Sequence, residues 1–99
     1  MSTDDLDLPA DVETTLAQLL AEGADAAEAG DGDTVAAIVG TVNSVTRNKV
    51  PDSELRSRLL FGCEAVRRLL DDPDPSAATA RMHVAAGYLR AMRERVAGA

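Results

Sequence analysis

The sequence predicts an all-α protein folded as an antiparallel four-helix bundle, and three observations support this prediction. Apolar residues recur at spacings of three and four along most of the chain, as in α-helices with one buried face. Proline and Asp–Gly segments interrupt this period and leave only short connections, which favour antiparallel neighbours. A length of 99 residues suits a single domain with one core, spanning residues 1–99. Within it, residues 1–7 are a candidate disordered segment.

The first two helices are predicted over residues 9–29 and 33–48. Pro9 suits a first helical turn, because its missing N–H would be unpaired there in any case. In the Asp–Gly turn between the helices, Asp31 or Asp33 can cap the second helix by accepting a hydrogen bond from a free backbone N–H. The spacing predicts a core of Val12, Leu16, Leu19, Leu20, Gly23 and Ala27 from the first helix and Val35, Ile38, Val39, Val42 and Val45 from the second.

The third and fourth helices are predicted over residues 51–71 and 75–97. A residue that precedes proline disfavours the helical conformation, so the third helix is expected to start at Pro51. Asp74 is expected to cap the fourth helix and Pro75 to open it. Their predicted core positions are Leu55, Leu59, Gly62, Cys63, Val66, Leu69 and Leu70, followed by Ala78, Met82, Ala85, Leu89, Met92 and Val96.

Charge is distributed unevenly along the chain, which has 17 acidic and 10 basic residues and a net charge of −7. Residues 1–33 contain ten acidic residues and no basic one, whereas residues 34–70 contain six basic and three acidic residues. We expect the acidic first helix to dock on the more basic third and fourth helices, although each exposed ion pair contributes less than about 1 kcal/mol. The alternative is a two-faced protein whose basic face recruits an acidic partner.

The composition resembles that of cytosolic proteins from haloarchaea, because Asp outnumbers Glu eleven to six and Arg outnumbers Lys nine to one. The stretch NKVPDSELRSRLLFGCEAVRRLL is similar to a domain of unknown function from short helical proteins of that group. This resemblance implies no known activity. In molar salt the Debye length falls to about 3 Å. The acidity can therefore be a solubility adaptation rather than a binding signature.

Several classes of protein are disfavoured by the sequence. Cys63 is the single cysteine, so no internal disulfide can form. The N-terminus lacks a signal-peptide pattern, and the longest apolar stretches fall far short of a membrane span. We therefore expect a cytoplasmic protein without membrane contact. The net charge argues against a nucleic-acid partner. A DNA-associated regulator stays an alternative because of the basic residues Arg47, Lys49, Arg56, Arg67 and Arg68.

No catalytic, cofactor or metal site is predicted, and the chain is not expected to be an enzyme. Asp31 and Asp33 look like part of a calcium loop. However, Val42 occupies the twelfth position, where an EF-hand loop needs a bidentate Glu. Cys63 falls on a buried stripe, where a cysteine usually acts as a small inert apolar residue.

His83 supports one alternative function. The segment His83-Val84-Ala85-Ala86-Gly87 is similar to the phosphate-accepting motif of histidine phosphotransfer domains, in which the glycine clears room for a receiver domain. This chain departs from the family in having Ala86 where a lysine is usual, and in carrying the histidine on its last helix. The resemblance implies phosphotransfer through His83.

Phe61 does not fit the predicted core. On the third helix it points about 120–160° away from the buried stripe, next to Arg58 and Arg68. One interpretation is that Leu6 and Leu8 fold over it. The other is a contact surface, because aromatic residues and arginines are enriched at interfaces.

Tyr88 and Arg95 on the fourth helix likewise place an aromatic residue and an arginine beside the predicted buried stripe. We therefore expect a non-enzymatic protein–protein interaction or oligomerisation module, with a protein partner or a homodimer. The candidate interaction residues are Phe61, Arg58, Arg68, Tyr88 and Arg95.

Overall fold

A computed structural model of the chain describes residues 8–98, and most of these belong to four α-helices. The candidate disordered segment 1–7 lies outside the described residues. The helices are α1 (Ala10–Glu28), α2 (Gly32–Lys49), α3 (Glu54–Asp71) and α4 (Ala78–Gly98), and a single 3-10 turn (Pro75–Ala77) leads into α4. Residues 8–98 contain no β-strand.

The helices are arranged as a closed square. Each helix packs against the next one in the chain, and α1 also packs against α4. Because the connections are short, each helix runs antiparallel to its sequence neighbour. The predicted four-helix bundle is confirmed. The expected docking of the acidic first helix is correct for α4 and wrong for α3, because α3 lies diagonally across the square from α1.

The connection between α1 and α2 is a tight turn. Gly30 adopts a φ of +76°, which a residue without a Cβ adopts at little cost. Asp31 is the cap of α2: its carboxylate accepts hydrogen bonds from the Thr34 N–H at 3.2 Å and from the Thr34 hydroxyl at 2.6 Å. These bonds hold the pKa of Asp31 below its ordinary value. Asp33, the other candidate cap, lies in the first turn of α2 instead.

The third and fourth helices begin three residues later than predicted. Ser53 caps α3, because its hydroxyl accepts a hydrogen bond from the Arg56 N–H at 3.2 Å and donates one to the Pro51 carbonyl at 2.9 Å. Pro51 therefore lies in the connection. Asp74 caps the 3-10 turn that Pro75 opens, and the α-helical hydrogen-bond pattern begins only at Ala78.

The predicted stripes meet in an aliphatic core along the axis of the square. Leu19, Val45, Leu55, Leu69, Leu70 and Met82 are only partly buried at its edges, and Ala78 is exposed. Helices α3 and α4 approach closely at Gly62, where an added Cβ would lie 2.9 Å from Cγ of Met92 and would also overlap its Sδ. The fully buried large residues are Leu16, Leu20, Val35, Val39, Val42, Thr46, Leu59, Cys63, Val66, Leu89 and Val96.

Candidate functional site

Two contacts orient the surface of α4. Met92 packs against Gly62 of α3, whereas Arg90 reaches Glu28 of α1. Residues three or four apart share one face of a helix. Tyr88 and Arg95, which lie four residues before and three after Met92, are therefore on the side of α4 that faces α3.

The same argument orients α3. Arg58 and Ala65 lie four residues before and three after Gly62, so they are on the side of α3 that faces α4. Phe61 lies about 100° from Gly62 around α3, on the adjoining outer shoulder, and is 67% exposed. The structure thus brings the predicted residues of α3 and α4 to one surface.

We call this surface the α3/α4 face and define it by the exposed apolar residues Phe61, Val84 and Tyr88. These three are the large apolar side chains that stay exposed among residues 8–98, at 67%, 48% and 36% respectively. Val84 lies one turn before Tyr88 and continues its stripe. Arg58, Arg68 and Arg95 surround the apolar residues, and all of them are exposed.

The charges around Phe61 are more balanced than the sequence analysis expected. Arg58 Nη2 lies 3.2 Å from Oε2 of Glu54, one helical turn earlier. Arg68 Nε lies 3.2 Å from Oε2 of Glu64, in the same relation. The α3 part of the face therefore carries equal numbers of both signs, and it is not simply basic.

The interpretation that Leu6 and Leu8 cover Phe61 can be compared with the structure only for Leu8. Leu8 is partly buried against the core, and Phe61 nonetheless keeps two-thirds of its surface exposed. Leu6 lies outside the described residues. Within residues 8–98, Phe61 remains an exposed aromatic side chain beside charged groups.

A second cluster joins α1 to α4. Glu28 Oε2 lies 2.8 Å from Arg90 Nη2, and Glu28 Oε1 lies 3.8 Å from His83 Nδ1. The hydrogen bond from Arg90 is the main reason why the pKa of Glu28 is below its ordinary value. The sequence analysis missed this cluster, because Glu28 and Arg90 are far apart in the chain and share no motif.

The surroundings of this cluster are open. His83 is exposed, and nothing lies within 4 Å of the position that a Cβ would take at Gly87. A hollow of about 370 Å³ adjoins His83, and its lining includes Ala27, Gly30, Thr79 and Met82.

The other candidate groups do not gather into a site. Cys63 is buried, and desolvation raises the pKa of its thiol to about 11. No three His, Cys, Asp or Glu residues within the described part of the chain could hold a metal ion together. No helix between residues 8 and 98 has the length and hydropathy needed to cross a membrane.

The residues of the predicted basic cluster do not all lie on one face. Arg67 lines a groove with Gly40 of α2, whereas Arg68 lies about 100° further around α3, beside Phe61. Arg47 donates a hydrogen bond to the Asn43 side chain within α2. The role as a DNA-associated regulator stays a prediction.

Comparisons with known proteins gave one match. Neither the curated proteins nor the solved structures include a significant match to this chain. A family model described as "Domain of unknown function (DUF8101)" matches residues 1–98. The resemblance of residues 48–70 to a domain of unknown function is thereby confirmed, and the chain belongs to the DUF8101 family.

Proposed function

We propose that this chain is a non-enzymatic protein–protein interaction module that assembles through the α3/α4 face. The observation that supports this proposal is the grouping of Phe61, Val84 and Tyr88 on one surface, although the other large apolar residues of the four helices are buried fully or in part. Burying a phenylalanine side chain completely is worth about 1.5–3 kcal/mol. A partner that covers Phe61 would recover much of that free energy.

The composition of the α3/α4 face is also that of an interface. Tyr88 and Phe61 are rigid aromatic side chains, and Arg95 is an exposed arginine three residues after the buried Met92. Aromatic residues and arginine are enriched where proteins bind one another and supply most of the binding free energy. The charged residues around the apolar side chains would keep the protein soluble when no partner covers this face.

The test compares the wild type with Phe61→Ala and with the control Gln18→Ala, which changes an exposed residue of α1. For each of the three proteins, the molecular mass in solution is measured. The proteins that each one binds from a host extract at native salt are also identified. We expect the complexes of the wild type to be lost in Phe61→Ala and kept in Gln18→Ala. Helicity and melting temperature should stay unchanged. The proposal is contradicted if the wild type is monomeric and every protein that it binds is also bound by Phe61→Ala.

A second candidate function is phosphotransfer through His83. It is favoured by the exposure of His83, the open space at Gly87 one turn later, and the proximity of Glu28 to Nδ1 at 3.8 Å. This distance exceeds that of a hydrogen bond, so the carboxylate lies beside the imidazole ring without fixing its orientation. Incubation with a phosphorylated receiver domain should label the wild type and leave His83→Gln unlabelled. Absence of label on both proteins ends this hypothesis.

A further inference from the structure

The outer seam between α2 and α3 lies on a different side of the bundle from the α3/α4 face and contains a hollow. The hollow has a volume of about 380 Å³ and is lined by Ala36, Gly40, Arg67, Leu70 and Asp71. Its α2 wall is low, because Ala36 has a short side chain and nothing lies within 4 Å of an added Cβ at Gly40. The backbone of a bound segment can therefore approach α2 closely.

Three arginines lie along this seam. Arg67 lines the hollow directly. Arg56 lies eleven residues before Arg67, and eleven residues make about three helical turns, so the two share one side of α3. Arg47 lies seven residues, or about two turns, after Gly40, so it is on the side of α2 that faces the hollow.

The connection between α2 and α3 sets the height of these arginines. Arg47 lies three residues before Val50, the C-cap of α2, and Arg56 lies three residues after Ser53, the N-cap of α3. Because the two helices are antiparallel, Arg47 and Arg56 stand at the same level on opposite sides of the seam. Arg67 follows about 16 Å further along α3. We call the seam from Arg47 and Arg56 to Arg67 the α2/α3 groove.

The three arginines of the α2/α3 groove lack a carboxylate partner within residues 8–98. Four other arginines of this part of the chain lie 2.8–3.8 Å from a carboxylate oxygen. Arg47 instead donates a hydrogen bond to the neutral side chain of Asn43. Arg47 and Arg67 are exposed, and Arg56 is partly buried. Like charges that face each other repel, and an anion bound between Arg47 and Arg56 would offset this repulsion.

We propose that the α2/α3 groove binds an acidic segment of a partner protein, whose carboxylates pair with Arg47 and Arg56 at one end and with Arg67 further along. Arginine can hold a carboxylate through two parallel N–H donors. An extended segment rises about 3.3 Å per residue, so acidic residues five positions apart would span the distance from Arg56 to Arg67. This surface is separate from the α3/α4 face, so the inference goes beyond the proposed function.

The charges around the groove favour a peptide over nucleic acid. Asp71 lines the hollow beyond Arg67, and Asp33 is exposed in the first turn of α2 at the same end of the bundle. A DNA duplex carries one negative charge per about 1.7 Å along its whole length, so its phosphates would also face these carboxylates. An acidic segment can place its carboxylates at the arginines alone.

The test measures the binding of a fluorescein-labelled decaglutamate peptide to the full chain by fluorescence anisotropy, at about 0.1 M salt. Arg67→Glu should weaken binding at least about tenfold, because it places a like charge in the groove. The matched control is Arg93→Glu, which makes the same change in net charge at an exposed arginine of α4. It should bind within about twofold of the wild type, because charges more than about 10 Å apart are largely screened at this salt concentration.

A second variant tests the shape of the groove without a change in charge. Gly40→Leu adds a side chain to the low wall, where the space is open, so α2 should keep its helicity. Binding of decaglutamate should weaken at least about fivefold. The control is Thr41→Leu, at an exposed position about 100° further around α2 and away from α3, which should bind like the wild type.

Loss of binding in Arg67→Glu and Gly40→Leu, with binding kept in both controls, supports the groove. Equal losses in Arg67→Glu and Arg93→Glu overturn the proposal, because net charge would then control the affinity. It is also overturned if a short DNA duplex binds at least as tightly as decaglutamate, or if the wild type does not bind decaglutamate at up to about 1 mM. If binding then appears when Asp4, Asp5 and Asp7 are changed to asparagine, the N-terminal segment of the chain is the occupant in place of a partner.

Discussion

Phe61 and Cys63 lie two residues apart on α3 and have opposite environments. Two residues correspond to a rotation of about 200° around a helix, so when one side chain faces the core the other faces outward. Here the small sulfur side chain is buried and the larger aromatic one is exposed. This order opposes the usual preference for burying large apolar groups, and it is the residue-level basis of the contact role proposed for Phe61.

The buried thiol of Cys63 should be unreactive in the folded protein. Burial raises its pKa from 9.0 to about 11, which reduces the thiolate fraction at pH 8 about 100-fold. Alkylation by iodoacetamide should therefore be at least about 100-fold slower in the native protein than in guanidinium chloride. As a control, the Cys63→Ala/Ser44→Cys variant carries its thiol at an exposed position of α2 and should react quickly in both states. Equal native and denatured rates for the wild type would contradict the buried thiol.

The pair of Glu28 and Arg90 should be visible in a titration. Because Arg90 lowers the pKa of Glu28, Arg90→Ala should raise that pKa toward its ordinary value of 4.5. The stabilising effect of the pair is present above pH 4.5 and is lost as the pH falls through the lowered pKa. Carboxyl NMR chemical shifts measure the change, and Arg93→Ala, at an exposed arginine of the same helix, is the control. An unchanged Glu28 pKa in Arg90→Ala would mean that the pair does not form in solution.

At the scale of the elements, the close approach of α3 and α4 depends on Gly62. An added Cβ would overlap Met92, which is itself buried and has little room to move. Overpacking of this kind costs about 1–3 kcal/mol, whereas replacing a helical glycine with alanine gains up to about 1 kcal/mol. Gly62→Ala should therefore lower the free energy of unfolding by about 1–2 kcal/mol.

Gly40 offers the matched comparison for this substitution. It lies in the middle of α2, with nothing within 4 Å of its added Cβ. Gly40→Ala should raise the free energy of unfolding by up to about 1 kcal/mol, since only the helix propensity changes. Urea denaturation of the two variants measures both effects. A Gly62→Ala variant as stable as Gly40→Ala would show that α3 and α4 are not so closely packed.

At the scale of the whole molecule, the square arrangement leaves much of the acidic charge of α1 in solvent. Asp11, Glu22 and Asp25 are exposed, and Glu28 makes the ion pair with α4. With a net charge of −7, mutual repulsion should destabilise the folded state at low ionic strength. Raising KCl from about 0.05 M to about 2 M should therefore raise the free energy of unfolding, because the Debye length becomes a few ångström.

A neutralised variant tests the origin of this salt effect. Changing Asp11→Asn, Glu22→Gln and Asp25→Asn together removes three negative charges from α1. Its free energy of unfolding should depend less on KCl than that of the wild type. A wild type that loses stability in KCl would indicate that attractive pairs such as Glu28–Arg90 outweigh the repulsion.

The sequence by itself determined the number of helices, their antiparallel order and most of the core, because spacing and loop length act locally. It located the caps only approximately. A proline limits where a helix can run, but Ser53 decides the first turn of α3 by its own hydrogen bonds. Phe61 was recognisable as a misfit from its angle to the buried stripe alone.

Only the tertiary structure decided which surfaces meet. Glu28, His83 and Arg90 come together because α1 and α4 close the square. Phe61, Val84 and Tyr88 share a face because Gly62 packs on Met92 and so sets the rotation of α3 against α4. Helical periodicity gives the angle between residues of one helix, but the relative rotation of two helices follows from how their side chains pack.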